Sequence, residues 1–462
     1  MRIEGVLYHD LSCEYSTPNF MIKRMKILTY GCQMNVADSE RMAGQLQTIG
    51  YEYVDEFDKA DLILINTCCV RESAEDRVYG KIGELKHLKR QNPKLIIGIT
   101  GCMAQKEGEQ LIRRAPHIDF VLGTGRTGEL IRVVQSLEEL PNHIVDTSDV
   151  NGIDGKNFSS YPALSPAQRV FSEFVPIMYG CNNYCTYCIV PYVRGRERSR
   201  LPEDIINEVK EAVKAGVVEI TLLGQNVNSY GKDHKLANFA ELLTEIDKID
   251  GLKRLRFMTS HPKDLSNGLI AAIRDGEHIC EHIHLPVQYG SDRILKKMNR
   301  VYTVDQYRQL VNIIREQIPN VSLTTDLIVG FPGETDEDFN ETLDFIREIK
   351  FDAAYTFIYS RRSGTPAAEF DNQVDDDIKH KRLTKLMDVQ NEISLAINEQ
   401  LYGQVFEVLV EGASKTDTNI YTGRTRTNKL VLFKHSNEQA GDFINVKVTQ
   451  PQTWVLKGER IF

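Results

Sequence analysis

The chain has 462 residues, of which 41 % are apolar and 26 % charged, and this composition is ordinary for a globular protein that is too long for one core. No apolar run is long enough to span a bilayer, and the first twenty residues lack the basic start and apolar run of a secretory signal. The net charge of −9 argues against indiscriminate nucleic-acid binding through bulk charge, although a local basic groove is compatible with it. We therefore expect several domains, a cytoplasmic location and a loosely held tail over residues 1–24.

Residues 25–145 alternate short apolar runs with amphipathic stretches, which predicts a doubly wound parallel α/β domain. The strands are predicted in KILTYG, DLILINT and KLIIGITG, and each is followed by one cysteine: Cys32, Cys68 and Cys102. These cysteines are 36 and 34 residues apart, about one βα unit each. Because ligands gather at the carboxyl edge of such sheets, the pattern favours three thiolate ligands of an iron–sulfur cluster. Three unrelated buried cysteines are the alternative.

The chain has nine cysteines, and without an export signal such a number is more typical of metal ligands than of disulfides. Cys13 lies in the tail, Cys69 follows Cys68, and Cys280 begins a predicted strand. None of the three repeats the pattern of one cysteine per strand, so we interpret them as ordinary cysteines.

Residues 146–167 have the polar composition of a linker, and the strand–helix alternation resumes over residues 168–400. Six strands are predicted there, which indicates a partial (β/α)6 barrel with its reactive face at the carboxyl ends of the strands. Polar residues or glycines follow several of these strands, although such residues are also ordinary turn formers. The candidates are Gln225, Asn226, Ser260, His261, Gln288 and the segment 330–334.

The most specific motif is the run YGCNNYCTYCIVPYVRGRERSR, in which Cys181, Cys185 and Cys188 have the spacing C-x3-C-x2-C. Three thiolates on one loop would hold a four-iron cubane with one iron open to a small molecule, an arrangement for chemistry rather than for structure. A zinc site would need a fourth ligand nearby, and the next candidates, His234 and His261, lie dozens of residues downstream. A zinc knuckle or an incidental loop is the alternative.

A charged helical pattern over residues 372–402 leads into five short strands over residues 401–462, which predict a small β-barrel. Such barrels often bind single-stranded nucleic acid through basic and aromatic side chains, although this barrel could also serve only to pack against its neighbour. A second basic track follows the cysteine loop, and charge runs of this kind are most often solvated faces. The candidate RNA contacts are Tyr421, Arg424, Arg426 and Phe433 in the barrel, and Arg194, Arg196, Arg198 and Arg200 after the loop.

The cysteine loop, with Tyr187 before Cys188, resembles that of the radical S-adenosylmethionine (SAM) enzymes. The resemblance narrows to the methylthiotransferases through motifs that occur in family order from residue 25 onwards, and the last segment is similar to the RNA-binding TRAM domain. GCQMN and CIVPYVRGRERSR are most similar to the branch that modifies isopentenyladenosine in tRNA. One departure is LPVQYGS, where Ser is expected at Tyr289. The motifs are TYGCQMNVADSE, NTCCVRESAE, GCMAQ, CIVPYVRGRERSR, LLGQNVNSYG, TSHPKD and GFPGET.

The resemblance implies two [4Fe-4S] clusters and SAM. SAM would be chelated at the cluster on the loop cysteines and cleaved to a 5′-deoxyadenosyl radical. Such a radical is needed because C2 of adenine has no acidic proton for a base to remove. The cluster on Cys32, Cys68 and Cys102 would carry or donate the sulfur, which a second SAM methylates. SAM contacts are implied at Tyr187, Gln225, Asn226, Ser260, Gln288, Phe331 and Pro332.

The implied product is 2-methylthio-N6-(dimethylallyl)adenosine beside the anticodon of tRNA. The implied partners are the anticodon stem-loop of tRNA and an electron donor such as flavodoxin or ferredoxin, with the chain acting as a monomer away from membranes. Within the family, the alternative substrates are threonylcarbamoyladenosine in tRNA and a ribosomal protein. From a different class, a non-catalytic zinc-dependent RNA-binding module is the alternative.

Overall fold

The computed structural model describes residues 23–69, 72–148, 171–233 and 237–461. Nearly all of the predicted tail and linker, together with Cys13, lies outside these ranges. Within them, no helix is long and apolar enough to cross a membrane.

The first unit is a parallel sheet with the described strand order β2-β1-β3-β4-β5-β6. Every residue of β3 and β4 is buried, as expected for apolar strands that are covered on both faces. Leu62 and Leu64 of β3 join one core with α1 and α5, whereas Ile63 and Ile65 join a second core with α2 and α4. The predicted doubly wound fold is confirmed. The elements are β1 Lys23–Thr29, α1 Gln33–Thr48, β2 Tyr51–Tyr53, β3 Leu62–Thr67, α2 Glu72–Gln91, β4 Ile96–Gly101, α3 Cys102–Glu107, α4 Glu109–Arg114, β5 Phe120–Leu122, α5 Leu130–Glu139 and β6 Ile144–Asp146.

The central unit contains two described parallel sheets of three strands each, β11-β10-β7 and β12-β13-β14. A parallel bridge pairs Leu255 with Ile279, and the Ser260 amide donates to the His284 carbonyl over 3.2 Å, so the two sheets continue one another. The predicted partial barrel is confirmed. Its elements are β7 Ser172–Pro176, β8 Met178–Tyr179, α6 Val190–Arg194, β9 Arg198–Ser199, α7 Pro202–Lys214, β10 Glu219–Leu223, α8 Phe239–Asp247, β11 Arg254–Phe257, α9 Asn267–Asp275, β12 His282–His284, α10 Asp292–Lys297, α11 Val304–Gln317, β13 Ser322–Val329, α12 Asp336–Ile349, β14 Ala353–Ile358 and α13 Asp376–Glu399.

The last unit is a closed barrel with the described order β15-β16-β17-β19-β18. Alternate residues of β17 and β18 point inward, so that Val431 and Val446 fill the interior together with Val408 of β15. The predicted β-barrel is confirmed. Its strands are β15 Val405–Ala413, β16 Ile420–Thr425, β17 Leu430–Lys434, β18 Phe443–Pro451 and β19 Leu456–Ile461.

This closed barrel docks on the amino ends of the central strands. Arg254, the first residue of β11, donates to the Arg424 carbonyl over 2.6 Å. Arg256 donates to the Thr425 carbonyl over 2.8 Å and to the carboxylate of Glu219, the first residue of β10, over 2.7 Å. The carboxyl ends of the same strands therefore lie on the opposite side of the central unit from the docked barrel.

Candidate functional site

Three cysteines lie along the carboxyl edge of the first sheet. Cys32 precedes α1, Cys68 follows β3, and Cys102 is the first residue of α3. Since β1, β3 and β4 are neighbours, their ends meet, and the predicted position of one cysteine after each strand is confirmed. Gly31 has a φ of +148°, and a Cβ there would lie 2.8 Å from the Cβ of Cys68, so the close approach of these two chain ends requires glycine.

A buried amide network fixes this edge. The Asn35 side chain donates to Asn66 Oδ1 over 3.0 Å and to the Thr67 carbonyl over 3.1 Å, and the Asn66 amide donates back to the Asn35 carbonyl over 2.8 Å. Asn35 Oδ1 in turn accepts from the Cys32 thiol over 3.3 Å. Asn35 belongs to the GCQMN motif, but sequence reasoning did not identify it as the residue that holds Cys32 in place.

The electrostatic environment of Cys102 favours its thiolate. Its pKa is lowered to about 6, first by a hydrogen bond with Cys69 and then by the nearby Arg194 guanidinium, against the opposing effect of burial. Cys69 was interpreted as an ordinary cysteine, but the structure places it beside Cys102. Only the adjacency of Cys69 to Cys68 in NTCCV hinted at this.

The second group of cysteines lies on the loop between β8 and α6. The Cys188 amide donates to the Cys185 carbonyl over 2.9 Å, which folds the loop on itself. Thr186 anchors the loop to the central unit through its hydroxyl, which donates to the Lys297 carbonyl over 2.8 Å. Arg300, which sequence reasoning missed, is buried and donates to Cys185 Sγ over 3.5 Å.

The thiols of Cys181 and Cys188 are held in their neutral form in the protein alone. Burial raises the pKa of Cys181 to about 11 and that of Cys188 to about 12, and Cys185 adds repulsion between thiolates in both cases. Binding of a cationic metal group would release these protons. Within the described residues, no three His, Cys, Asp or Glu side chains converge as ligands of a single metal ion.

Several buried polar atoms near this loop have no hydrogen-bond partner among the described residues. They are Oδ1 of Asn183, Oε1 of Gln225, Oδ1 of Asn226 and Oγ of Ser260. The last three follow β10 and β11, where SAM contacts were predicted. A buried polar atom without a partner is costly, so this edge fits a polar ligand with its own donors and acceptors.

The other predicted SAM contacts differ in surroundings. Tyr187 is partly buried against the central core, and Gln288 has a φ of 73° after β12. Phe331 has no exposed surface and packs edge-on against Tyr359, with ring centroids 5.4 Å apart. Phe331 therefore supports the wall of this edge rather than facing a ligand, which corrects that part of the prediction. Pro332 is also buried.

The predicted basic track after the loop is only partly on the surface. Arg194 is buried and pairs with Asp38 of α1 over 3.1 Å. Arg200 is buried, donates to the Pro176 carbonyl over 2.7 Å and pairs with Glu208. The prediction that Arg194 and Arg200 contact RNA is therefore wrong, because their charges are used inside the fold.

Of the remaining track, Arg198 is partly buried, and its guanidinium is oriented toward the Arg194 carbonyl at 3.5 Å. Arg196 is exposed.

Of the predicted contacts in the barrel, Phe433 is buried and Arg426 lies in the docking interface, whereas Arg424 and Tyr421 stay predicted RNA contacts. Phe433 is 2 % exposed and fills the barrel core. Arg426 binds Glu281, just before β12, over 2.7 Å and so forms part of the docking interface. Arg424 pairs with Glu411 over 2.8 Å. Tyr421 is partly exposed and its ring stacks on His435.

Two exposed tyrosines lie on the cysteine loop and in the helix that follows it, and sequence reasoning missed both. Tyr184 is 41 % and Tyr192 is 50 % exposed, and their rings meet edge-on with centroids 6.2 Å apart. Tyr184 has a φ of 47°, an unfavourable conformation for a bulky residue. Asn299 holds it by donating to the Tyr184 carbonyl over 3.0 Å. Their positions within CNNYCTYCIVPY were the available signal.

Comparison with known proteins matches three family models. Residues 24–123 match the uncharacterized protein family UPF0004, residues 175–346 the radical SAM superfamily, and residues 399–461 the TRAM domain. Among solved structures, a radical S-adenosylmethionine methyltransferase, TsrM, from Kitasatospora setae has a TM-score of 0.56 at 14 % identity. That match covers 85 % of this chain and 79 % of the other, and it shows a shared fold.

Two curated relatives are similar over nearly the whole chain. The tRNA-2-methylthio-N(6)-dimethylallyladenosine synthase of Thermoanaerobacter pseudethanolicus is 51 % identical, covering 94 % of this chain and 92 % of the relative. The protein of the same name from Moorella thermoacetica is also 51 % identical, covering 95 % and 98 %.

Proposed function

The chain belongs to the tRNA-2-methylthio-N(6)-dimethylallyladenosine synthase family, and from this premise we propose how its residues carry out methylthiolation. The enzyme transfers a methylthio group to C2 of N6-(dimethylallyl)adenosine beside the anticodon of tRNA, by radical SAM chemistry with two [4Fe-4S] clusters. We keep the predicted division into a methylthiotransferase domain over 25–145, a radical SAM core over 168–400 and a TRAM-like barrel over 401–462.

One observation carries this proposal: the two cysteine groups are joined by a short, buried connection. Ile189 and Val193, directly after the loop, belong to the hydrophobic core of the first sheet. The Thr124 hydroxyl, beyond β5, donates to the Val193 carbonyl over 2.5 Å. This packing supports two sites that open into one chamber, as sulfur delivery from one site to a substrate at the other requires.

The cysteines fit the two clusters in number and setting. Cys181, Cys185 and Cys188 would hold one cluster and Cys32, Cys68 and Cys102 the other, each with one iron left open. When bound and reduced, the first cluster with SAM supplies a 5′-deoxyadenosyl radical that can remove a hydrogen atom from an unactivated carbon.

The other residues of the site would bind and orient SAM. The unpartnered atoms of Gln225, Asn226 and Ser260 would accept or donate hydrogen bonds to the amino and carboxylate groups of SAM. Arg300 donates to Cys185 Sγ and would offset the negative charge of a cluster bound there. Asn226, Ser260 and Arg300 are buried, which would keep water from the reacting atoms.

Fewer exposed residues of the protein are available to bind tRNA than the sequence predicted. The target adenine sits in a stacked loop and must be splayed out to reach a buried site. Exposed aromatic rings suit this task because every base can stack on them. Tyr184 and Tyr192, beside the cysteine loop, would stack bases, and the exposed Arg196 would bind phosphate. Tyr421 stays a proposed contact of the barrel.

We further propose that flavodoxin or ferredoxin supplies the electrons and that the enzyme acts as a cytoplasmic monomer. Reduction by each purified donor, followed by detection of 5′-deoxyadenosine, tests the first point. Light scattering of the reconstituted enzyme tests the second.

The function is tested with anticodon stem-loops that differ only in the side group of the adenosine. The anaerobically reconstituted enzyme should methylthiolate isopentenyl RNA and leave unmodified and threonylcarbamoyl RNA unchanged. The reverse preference would move the chain to the threonylcarbamoyl branch. Iron and labile sulfide analysis of the same sample separates the remaining alternative, because zinc without sulfide would leave only a non-catalytic RNA-binding module.

A further inference from the structure

Arg194 links the cysteine loop to the other cysteine group. It lies six residues after Cys188, at the end of α6, yet its guanidinium is 4 % exposed and pairs with Asp38 of the first sheet domain over 3.1 Å. Asp38 lies on α1, which begins directly after Cys32. Arg194 follows Val193, which packs in one hydrophobic core with Cys102, and its positive charge acts on the thiols of Cys102 and Cys32. One buried cation is therefore shared between a carboxylate and two cysteines of the sheet edge.

A fixed charge in this position acts on any electron that enters the site. A buried charge is weakly screened, so its effect on a neighbouring redox group is larger than that of a surface charge. The reduction potential of an iron–sulfur cluster depends on the net charge and hydrogen bonds around its sulfurs. A cation raises the potential because it stabilises the reduced form, which carries one more negative charge, and a carboxylate lowers it.

We propose that Arg194 is a positioning residue that sets the reduction potential of the sulfur-carrying cluster on Cys32, Cys68 and Cys102, with Asp38 as its counter-charge. This inference rests on the proposed function, since that function places a cluster on these cysteines. It assigns the radical SAM core a direct electrostatic influence on the cluster of the neighbouring domain. The charge pair holds the potential of that cluster between the values that either charge alone would impose.

A purely structural role for the ion pair makes a different prediction. If Arg194 and Asp38 only held two domains together, removing either partner would break the same contact and change the cluster in the same direction. If they act through charge, Arg194→Gln should lower the potential and Asp38→Asn should raise it. The sign of the second shift therefore distinguishes charge from packing.

The experiment uses the full chain with Cys181, Cys185 and Cys188 replaced by Ala, so that one cluster remains. Its midpoint potential is measured by anaerobic redox titration with electron paramagnetic resonance detection. We expect Arg194→Gln to disfavour reduction about tenfold, a shift of ~59 mV to lower potential, and Asp38→Asn to shift it upward by a similar amount. Arg194→Lys should recover most of the original potential because it restores the charge.

A matched control is Arg200→Gln, which removes another buried arginine paired with a carboxylate, while Glu208 keeps Arg41 as a partner. It should leave the potential unchanged. Shifts of the same sign for Arg194→Gln and Asp38→Asn, or no shift in either, would overturn the inference and leave the proposed function intact. Absence of iron and sulfide from the triple alanine parent would instead refute the ligand set of the proposed function.

Discussion

The two ends of the central strands differ in how fully their buried polar groups are satisfied. At the amino ends, Arg254 and Arg256 donate to carbonyl oxygens of the docked barrel, and Arg256 also donates through Nε to Glu219 of β10; only Nε of Arg254 lacks a partner among the described atoms of these two side chains. At the carboxyl ends, Gln225, Asn226 and Ser260 each keep a buried oxygen without a partner among the described residues.

This difference separates stability from function within one sheet. A satisfied buried polar group stabilises the fold, whereas an unsatisfied one costs free energy that only a ligand can recover. The amino edge is therefore the joint that fixes the barrel, and the carboxyl edge is the part prepared for a cofactor, as in other parallel α/β barrels.

The largest expected effects come from the cysteines on the carboxyl side. Cys181→Ala should abolish SAM cleavage, because the cluster that binds SAM would lose a ligand. Cys68→Ala should leave cleavage possible but stop sulfur insertion. Chromatographic assays of 5′-deoxyadenosine and of methylthio-RNA report the two steps separately. Normal methylthio product from Cys68→Ala would remove the donor role from the sheet-edge cysteines.

At the amino edge, Arg256→Met should destabilise the protein by about 3–5 kcal/mol, because the mutation leaves the carboxylate of Glu219 buried without its partner. SAM cleavage per folded enzyme should be unchanged. Denaturant unfolding measures the first quantity and a 5′-deoxyadenosine assay the second. Arg274→Met, which breaks an exposed pair with Asp275, is the control and should have no measurable effect.

If Arg256→Met instead reduced SAM cleavage per folded enzyme as strongly as a loop cysteine variant does, the amino edge would contribute to catalysis as well as to stability, and the contrast between the two edges would be wrong.

Glu173, near the amino end of β7, is a second exception at this edge, besides Nε of Arg254. Its pKa is raised to about 7, mainly by burial and then by Glu208 and Glu40, while Arg41 opposes the shift. Because the folded pKa exceeds the unfolded value, Glu173 costs no stability at low pH, and its cost grows as pH rises toward about 7. Glu173→Gln should therefore stabilise the protein by about 1–3 kcal/mol at about pH 8 and much less at about pH 5.

Unfolding curves of wild type and Glu173→Gln at both pH values test this expectation. Glu392→Gln on the exposed face of α13 is the control and should shift both curves equally. An equal gain from Glu173→Gln at both pH values would show that the carboxyl group is not titrating in the folded protein.

Sequence patterns located the strands and the cysteines but not the partners of the charges. The pattern of one cysteine after each predicted strand gave the positions of Cys32, Cys68 and Cys102. It did so because the same strand–loop–helix unit repeats along a parallel α/β sheet. The pairing of Arg194 with Asp38 spans 156 residues, and no local pattern encodes it. Phe433 is different, because the alternation in KLVLF places it on the same inward face as Val431 and predicts its burial.

The smallest expected effect is the most direct test of the contrast between the edges. Ser260 is 4 % exposed and its hydroxyl has no partner in the described structure, whereas the buried hydroxyl of Ser394 donates to the Asp352 carbonyl over 2.9 Å. Ser394→Ala should therefore cost about 1 kcal/mol of stability, because it removes a made hydrogen bond. Ser260→Ala should be neutral or slightly stabilising, because it removes an unsatisfied group.

For SAM binding, we expect the opposite ranking, with Ser260→Ala having the larger effect of the two serine variants. Ser260→Ala should weaken SAM binding by up to about tenfold, the equivalent of one hydrogen bond, and Ser394→Ala should leave it unchanged. Equilibrium binding to the reconstituted enzyme and denaturant unfolding of the apoprotein give the two quantities. If Ser260→Ala destabilised the apoprotein as much as Ser394→Ala, its hydroxyl would be satisfied by the protein itself, and the carboxyl edge would lose its distinction as the ligand side.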